Sequence, residues 1–253
     1  MTTRDPSDKK WDFYMCRVDD APASIFLDMA LLEGLESASE DTLYALHVTI
    51  NDPGEHGMGT SHEMEVMSSI EDQVIEQCKL IDLQFIGRLR NNSNWQMTFM
   101  GPPKRERKLK RIAKSSLKPV KRAFDVMSQR DPEWSYYRNF LYPDAERFRW
   151  MKDKWVVQNL IKNGDSLVQS RRVDHWVFFE DESALDKFAS AADSLGFGVE
   201  SSDTVEDRLV LQIHRVDKVD LESIHLVTEQ LHRLADDHGG EYDGWETSVE
   251  KQK

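Results

Sequence analysis

Gly239-Gly240-Glu241-Tyr242-Asp243-Gly244-Trp245-Glu246-Thr247 follows an amphipathic helical stretch and almost closes the 253-residue chain. Its first two glycines suit a helix stop, because glycine takes the left-handed C′ conformation without a steric penalty. Tyr242 and Trp245 supply the apolar area that holds a terminal strand down. Strand alternation puts Tyr242, Gly244 and Glu246 opposite Asp243 and Trp245. One aromatic then packs on the helices and the other meets the open face of the sheet, unless the glycines introduce a bulge. An aromatic on the open face is either covered by the helix that joins the two halves or left for a partner; the expectation is cover by the joining helix, with Trp150 or Trp155 near it.

Working outward, residues 165–253 read as strand, helix, strand, strand, helix, strand. Val173–Phe179 is β-branched and aromatic. Ser183 can cap a helix with Leu185, Phe188, Ala192 and Leu195 on one face. Phe197–Ser201 and Arg208–His214 are the middle strands. Asp220 can cap a helix striped by Leu221, Ile224, Val227, Leu231 and Leu234. Tyr242–Val249 closes the set. This βαββαβ order predicts a ferredoxin-like sandwich with both helices on one face of the sheet.

The same order occurs earlier: strand Leu43–Ile50, helix Ser61–Cys78, hairpin Leu83–Arg90 with Trp95–Met100, helix Lys104–Met127 and strand Trp134–Phe140. Pro119 disfavours helical geometry at Lys118, so a kink or break is expected there. Strands Trp11–Val18 and Ser24–Leu32 precede the set. The expected fold class is therefore α+β, two ferredoxin-like sandwiches, the first with two extra N-terminal strands. The expected domains are 1–143 and 165–253, with a connecting helix in 144–164. That helix carries one apolar stripe of Phe148, Met151 and Trp155 and another of Trp150, Val157 and Ile161. Two stripes predict a helix covered from two sides rather than a free linker.

Charge divides the chain. Residues 165–253 hold 21 acids and 9 bases, and residues 1–164 hold 25 acids and 24 bases. The acidic part should avoid nucleic acid and favour basic protein surfaces. Lys104–Arg122 is the opposite, with ten bases and one acid. Arg107, Lys108 and Arg111 are its candidate nucleic-acid contacts, although no aromatics are interleaved for base stacking. No apolar run is long enough to span a bilayer. The polar first ten residues lack the apolar core of a signal peptide, so the expected location is the cytoplasm. Cys16 and Cys78 read as buried free thiols.

Catalytic and cofactor motifs are absent: there is no HExxH, nucleophile elbow, phosphate loop or dinucleotide fingerprint. Glu55, His56, His62 and Glu63, with His47 on the preceding strand, carry metal-ligand chemistry in an unfamiliar spacing; a surface loop is the competing reading. His175 reads as a buried, hydrogen-bonded core histidine, and His232 as solvent-facing. No catalytic residue, cofactor or metal is assigned.

The Gly-Gly-x-Tyr-Asp-Gly-Trp-Glu-Thr run, with Arg172-Val173-Asp174-His175-Trp176-Val177-Phe178-Phe179 and Gly196-Phe197, resembles the type B regulators of ribonuclease E activity over about residues 165–250. The resemblance implies a cytoplasmic, non-catalytic bacterial protein that binds and dampens the ribonuclease or its degradosome. Trp11-Asp12-Phe13-Tyr14, Pro22-Ala23-Ser24-Ile25, Ile70-Glu71-Asp72, Phe85-Ile86-Gly87-Arg88, Asp131-Pro132-Glu133-Trp134 and Phe140-Leu141-Tyr142-Pro143 resemble the domain-of-unknown-function family 695, which implies no activity. On the regulator reading, the partner-binding residues would be Asp203, Glu206, Asp207, Glu241, Tyr242, Asp243, Trp245 and Glu246. A nucleic-acid module on Lys104–Arg122 and a metal-dependent enzyme on the Glu55–Glu63 loop are the alternatives.

Overall fold

The computed structural model describes residues 10–34, 41–205 and 207–251. The chain divides into two units, Met1–Asp144 and Ala145–Lys253. Both are α+β, each built on one antiparallel sheet.

The first unit runs β1 (Trp11–Val18), β2 (Ala21–Asp28), β3 (Thr42–Thr49), α1 (Ser61–Lys79), β4 (Gln84–Asn91), β5 (Asn94–Gly101), α2 (Glu106–Leu117) and β6 (Phe124–Arg130). Its strands lie in the order β1-β2-β4-β5-β3-β6. Two tight turns fix the register. Asp19 and Asp20 take φ of 49° and 60°, and Asn92 and Ser93 take 45° and 60°. Successive left-handed residues give the primed turns whose twist matches that of antiparallel strands. Tyr44, Leu46 and Val48 of β3 and Trp95, Met97 and Phe99 of β5 share a core with Met67, Ile70, Val74 and Cys78 of α1 and Leu109, Ile112 and Leu117 of α2. Both helices thus cover one face of the sheet. Burial pushes the Cys78 thiol up to about 12, whereas Cys16 is only half-buried, which corrects the expectation for that residue.

Two expected elements are corrected. The basic helix does not reach Met127. Lys118 keeps helical angles despite Pro119 behind it, and the helix stops there. Lys121 then turns at φ 52°, and the chain returns as β6, paired with β3. Few inward apolar residues mark β6, so helical periodicity masked it. Trp134–Phe140 is likewise no strand. It forms a turn and a short π-helix, Tyr137–Leu141, lying on the sheet face opposite α1 and α2. Gln96 donates to the Tyr136 hydroxyl at 2.7 Å, and Tyr137 donates to the Asp28 carbonyl at 2.6 Å. Asp131 accepts from the Ser135 and Tyr136 amides at 2.8 and 3.0 Å. Gly87 permits this cover: a Cβ there would stand 2.8 Å from the Phe26 carbonyl oxygen and 3.2 Å from Leu141 Cδ1.

The second unit opens with α3 (Ala145–Lys162), followed by β7 (Arg171–Phe179), α4 (Glu182–Ser194), β8 (Gly198–Val205), β9 (Arg208–Asp217), α5 (Leu221–Asp237) and β10 (Gly240–Thr247). The strand order is β10-β7-β9-β8. Asp220 caps α5 as expected, accepting from Ser223 N at 3.0 Å. Asp181 caps α4 rather than Ser183, accepting from Ala184 N at 2.9 Å. The ends of the unit are tied by a buried pair. Arg171 Nη2 donates to Asp165 Oδ1 at 2.8 Å, and the Glu250 amide donates to Asp165 Oδ2 at 2.7 Å. The Arg171 hydrogen bond leads in holding the Asp165 carboxyl well below the usual range. Within this unit α3 buries Val157 and Leu160 against Val173, Val219, Ile224 and Trp245 and leaves Ile161 exposed.

Candidate functional site

The sequence-predicted motif lies on β10, the edge strand beside β7. Tyr242 pairs with Val177, Gly244 with Trp176 and Trp245 with His175, so Asp243 is an extra residue in the ladder. The bulge resets the alternation. Val177 and His175 are both inward-facing, and the rings of Tyr242 and Trp245 follow them to the helix side. The exception to simple alternation, a bulge beside the glycine, is the one the register shows, and neither aromatic is left on the open face. Tyr242 is 6% and Trp245 7% exposed, so both rings are buried.

α3 seals Trp245. Its indole donates to Asp153 Oδ1 at 2.8 Å. Asp153 Oδ2 accepts from Thr228 Oγ1 at 2.6 Å and lies 2.8 Å from His225 Nδ1. A carboxylate that is 4% exposed thus has three partners from α5 and β10, as a buried acid requires. One turn earlier on α3, Arg149 grips Glu229 of α5 with two nitrogens, Nη2 to Oε2 at 3.1 Å. Sequence reasoning missed Asp153, His225, Thr228 and this pair. The available signal was an acid in Lys152-Asp153-Lys154 on the inward side of a helix.

Tyr242 meets two histidines. Its hydroxyl is 2.8 Å from His175 Nδ1, and the His232 ring stands edge-on with centroids 4.5 Å apart. His232, expected in solvent, is half-buried against this ring. Burial, reinforced by the Arg149 charge, lowers its pKa. His175 is fully buried, and burial followed by the Arg215 charge pushes its pKa down to about 3. Rings and helix border a half-open cavity of about 210 Å³ lined by residues that include Arg149, Lys152, Trp155, His232, Tyr242 and Trp245.

A depressed histidine pKa means that the unfolded chain binds the proton more tightly. The His175 contribution is present above the unfolded value of about 6.5 and is lost as pH falls toward 3. At pH 4 the loss amounts to about 3 kcal/mol. His232 acts in the same direction. His175→Asn should flatten the fall in melting temperature between pH 6.5 and 4.5. Equal slopes for the two proteins would refute the assignment.

The candidate surface acids are dispersed around this buried centre. Asp203, Asp207, Glu241, Asp243 and Glu246 are exposed; Glu206 lies outside the described residues. Asp207 occupies the β8–β9 turn at φ 66°. Glu241 is 2.8 Å from Arg208, which leaves its charge partly spent.

The first unit presents the other candidates. Arg107, Lys108 and Arg111 are exposed on α2 and make no ion pair among the described residues. Arg105 pairs with the exposed Asp82, and Arg122 turns inward to Glu63. The proposed ligand loop is not assembled. Glu55, His56 and His62 are exposed, His47 Nδ1 lies 3.3 Å from Asn94, and Glu63 is spent on Arg122 Nη2 at 2.7 Å. No group of three metal-ligating side chains gathers among the described residues.

Residues 9–142 match the model of the Family of unknown function (DUF695). The chain belongs to the DUF695 family. Behind that domain, residues 150–247 match the family described as Regulator of ribonuclease activity B. This match begins within α3 and takes in β10, so it contains both sides of the Asp153–Trp245 contact. No curated protein matches the chain. Among solved structures, a presumed glycine cleavage system transcriptional repressor aligns at 12% identity and TM-score 0.26, covering 83% of this chain and all of its own. An unknown protein from Galdieria sulphuraria aligns at 10% identity and TM-score 0.23, covering 81% of this chain and 97% of its own. No helix among the described residues is long and apolar enough to cross a membrane.

Proposed function

We propose that this DUF695 protein is a non-enzymatic regulator that binds a ribonuclease through the acidic surface of its second unit and dampens it. The observation that carries this reading is the match of residues 150–247 to Regulator of ribonuclease activity B. The partner we nominate is ribonuclease E or its degradosome, in the cytoplasm. Both sheets, on this reading, are ferredoxin-like sandwiches serving as rigid platforms. Burial of Tyr242 and Trp245 supports reading the aromatics of the motif as folding residues. Exposed Asp203, Asp207, Asp243 and Glu246 are left to meet a basic surface. Such rim charges act chiefly on encounter.

The test is association of the full chain with purified ribonuclease E at low and moderate salt. The triple charge reversal Asp203→Lys, Asp207→Lys and Glu246→Lys should slow association about 10-fold at low salt, with much less effect once salt screens the surface. Unchanged association kinetics would rule out this surface. The full chain is the proper reagent: a fragment starting at residue 165 lacks Asp153 and uncovers Trp245.

One observation favours a second reading. Arg107, Lys108 and Arg111 keep their charges unpaired on one exposed face of α2, a disposition suited to phosphates. If that face binds RNA, the full chain should shift RNA in a gel, and replacing all three residues by alanine should abolish the shift. No shift at low salt would dismiss it.

A further inference from the structure

The cavity beside Trp245 has no task in binding a ribonuclease through surface acids. Trp155, His232, Tyr242 and Trp245 line it, together with Val156, two bases, Arg149 and Lys152, and two acids, Asp153 and Asp243. Its volume of about 210 Å³ is below the ~300–1,000 Å³ of drug-sized sites. One ring system fits; a larger ligand does not.

The hydrogen-bonding capacity left unspent at its walls is mostly donor. Arg149 uses Nε and Nη2 on Glu229, which leaves Nη1 without a partner among the described residues. Lys152 Nζ makes a single bond, to the Asp243 carbonyl at 3.2 Å, and an ammonium has three donors. Neither ring nitrogen of His232 has a protein partner among the described residues. The nearby acceptors are occupied: Asp153 by Trp245, Thr228 and His225, and Glu229 by Arg149. Of the acids that line the cavity, the exposed Asp243 carboxylate remains; Glu146 and Asp236 act on Arg149 from outside the lining. Aromatic walls alone would also suit a cation, but both Asp153 oxygens are already bonded, and the free donors of Lys152 and Arg149 call for an acceptor.

We propose that this cavity binds a small aromatic carboxylate. The ring lies among Trp155, Tyr242 and Trp245, and the carboxylate accepts from Lys152 Nζ, Arg149 Nη1 and His232. The site does not depend on the ribonuclease reading; loss of either leaves the other standing.

The experiment uses the full chain and three probes sharing one ring: 3-indolepropionate, its neutral amide, and tryptamine. Binding is followed by calorimetry and by saturation-transfer NMR at millimolar concentration. The acid should bind about 10-fold more tightly than the amide, as a charge-assisted contact does over a neutral one, and the amine should not bind. Lys152→Met should bring the acid down to the level of the amide without changing the melting temperature. Val156→Phe, which fills the cavity, should abolish binding of both. If Val156→Phe misfolds, Lys152→Met still decides. The proposal is overturned if no probe binds, if the amine binds as well as the acid, or if Lys152→Met leaves the preference intact.

Discussion

Replacing Trp245 by alanine is expected to remove most of the stability of the second unit. The ring is 7% exposed and packs with Val157, Leu160, Val173, Val219 and Ile224. Truncating a buried tryptophan costs about 3–5 kcal/mol. A second cost adds to it, because Asp153 loses the indole donor while remaining buried. A domain has only about 5–15 kcal/mol to lose, and each kcal/mol moves the melting temperature of a unit this size by roughly 4–8 °C. A fall of about 15 °C or more is therefore expected. Trp245→Phe separates the two costs. It keeps most of the apolar area but not the N–H, and should cost about 1–3 kcal/mol. Both variants should still bind a partner at temperatures where they are folded, since the ring is inside. Thermal melting beside a binding assay checks this. A Trp245→Ala protein that melts within a degree of the parent would contradict the burial argument.

The path from residues to this site shows where sequence is legible. Alternation in Val173–Phe179 and Arg208–His214 placed the strands of the second unit, because one face of each is apolar and a one-residue slip would bury the other set. The wide stripes of α1 and α5 were equally plain. What failed was local. Whether Asp243 takes its own place in the ladder or is bulged depends on pairing with β7, which no spacing within Tyr242–Glu246 encodes. β6 was absorbed into the preceding helix because Phe124 and Val126 alone mark its inward face. Trp134–Phe140 has strand composition, yet Asp131 captures the Ser135 and Tyr136 amides, and the segment winds into a turn. In each case a tertiary partner overrode local preference. The polar centre was hidden for a related reason. Asp153, Thr228 and Trp245 are far apart in the chain, and a buried acid looks like a surface acid until its donors are found.

The other large effect belongs to the first unit. Glu63 sits in the first turn of α1, where Thr60 caps the helix and accepts from Glu63 N at 3.4 Å. The usual capping-box glutamate folds back on its own cap. This one instead accepts from the Asn51 amide at 2.8 Å and pairs with Arg122, the residue that ends the loop after α2. Both side chains are nearly buried, 4% and 6% exposed. Burial pulls the carboxyl pKa upward, but Arg122 and the Asn51 amide outweigh it, and the net shift is downward. Glu63→Gln keeps the shape and an acceptor for Asn51 while removing the charge. It strands the Arg122 guanidinium in a site closed to water, and breaking a buried pair from one side costs about 3–5 kcal/mol. The double variant Glu63→Gln with Arg122→Met leaves no uncompensated charge and should recover most of that loss. Urea denaturation of the two singles and the double gives the coupling directly. If Glu63→Gln costs under about 1 kcal/mol, the pair behaves as a surface bridge, and the clamp between α1 and the loop that leads into β6 is not electrostatic.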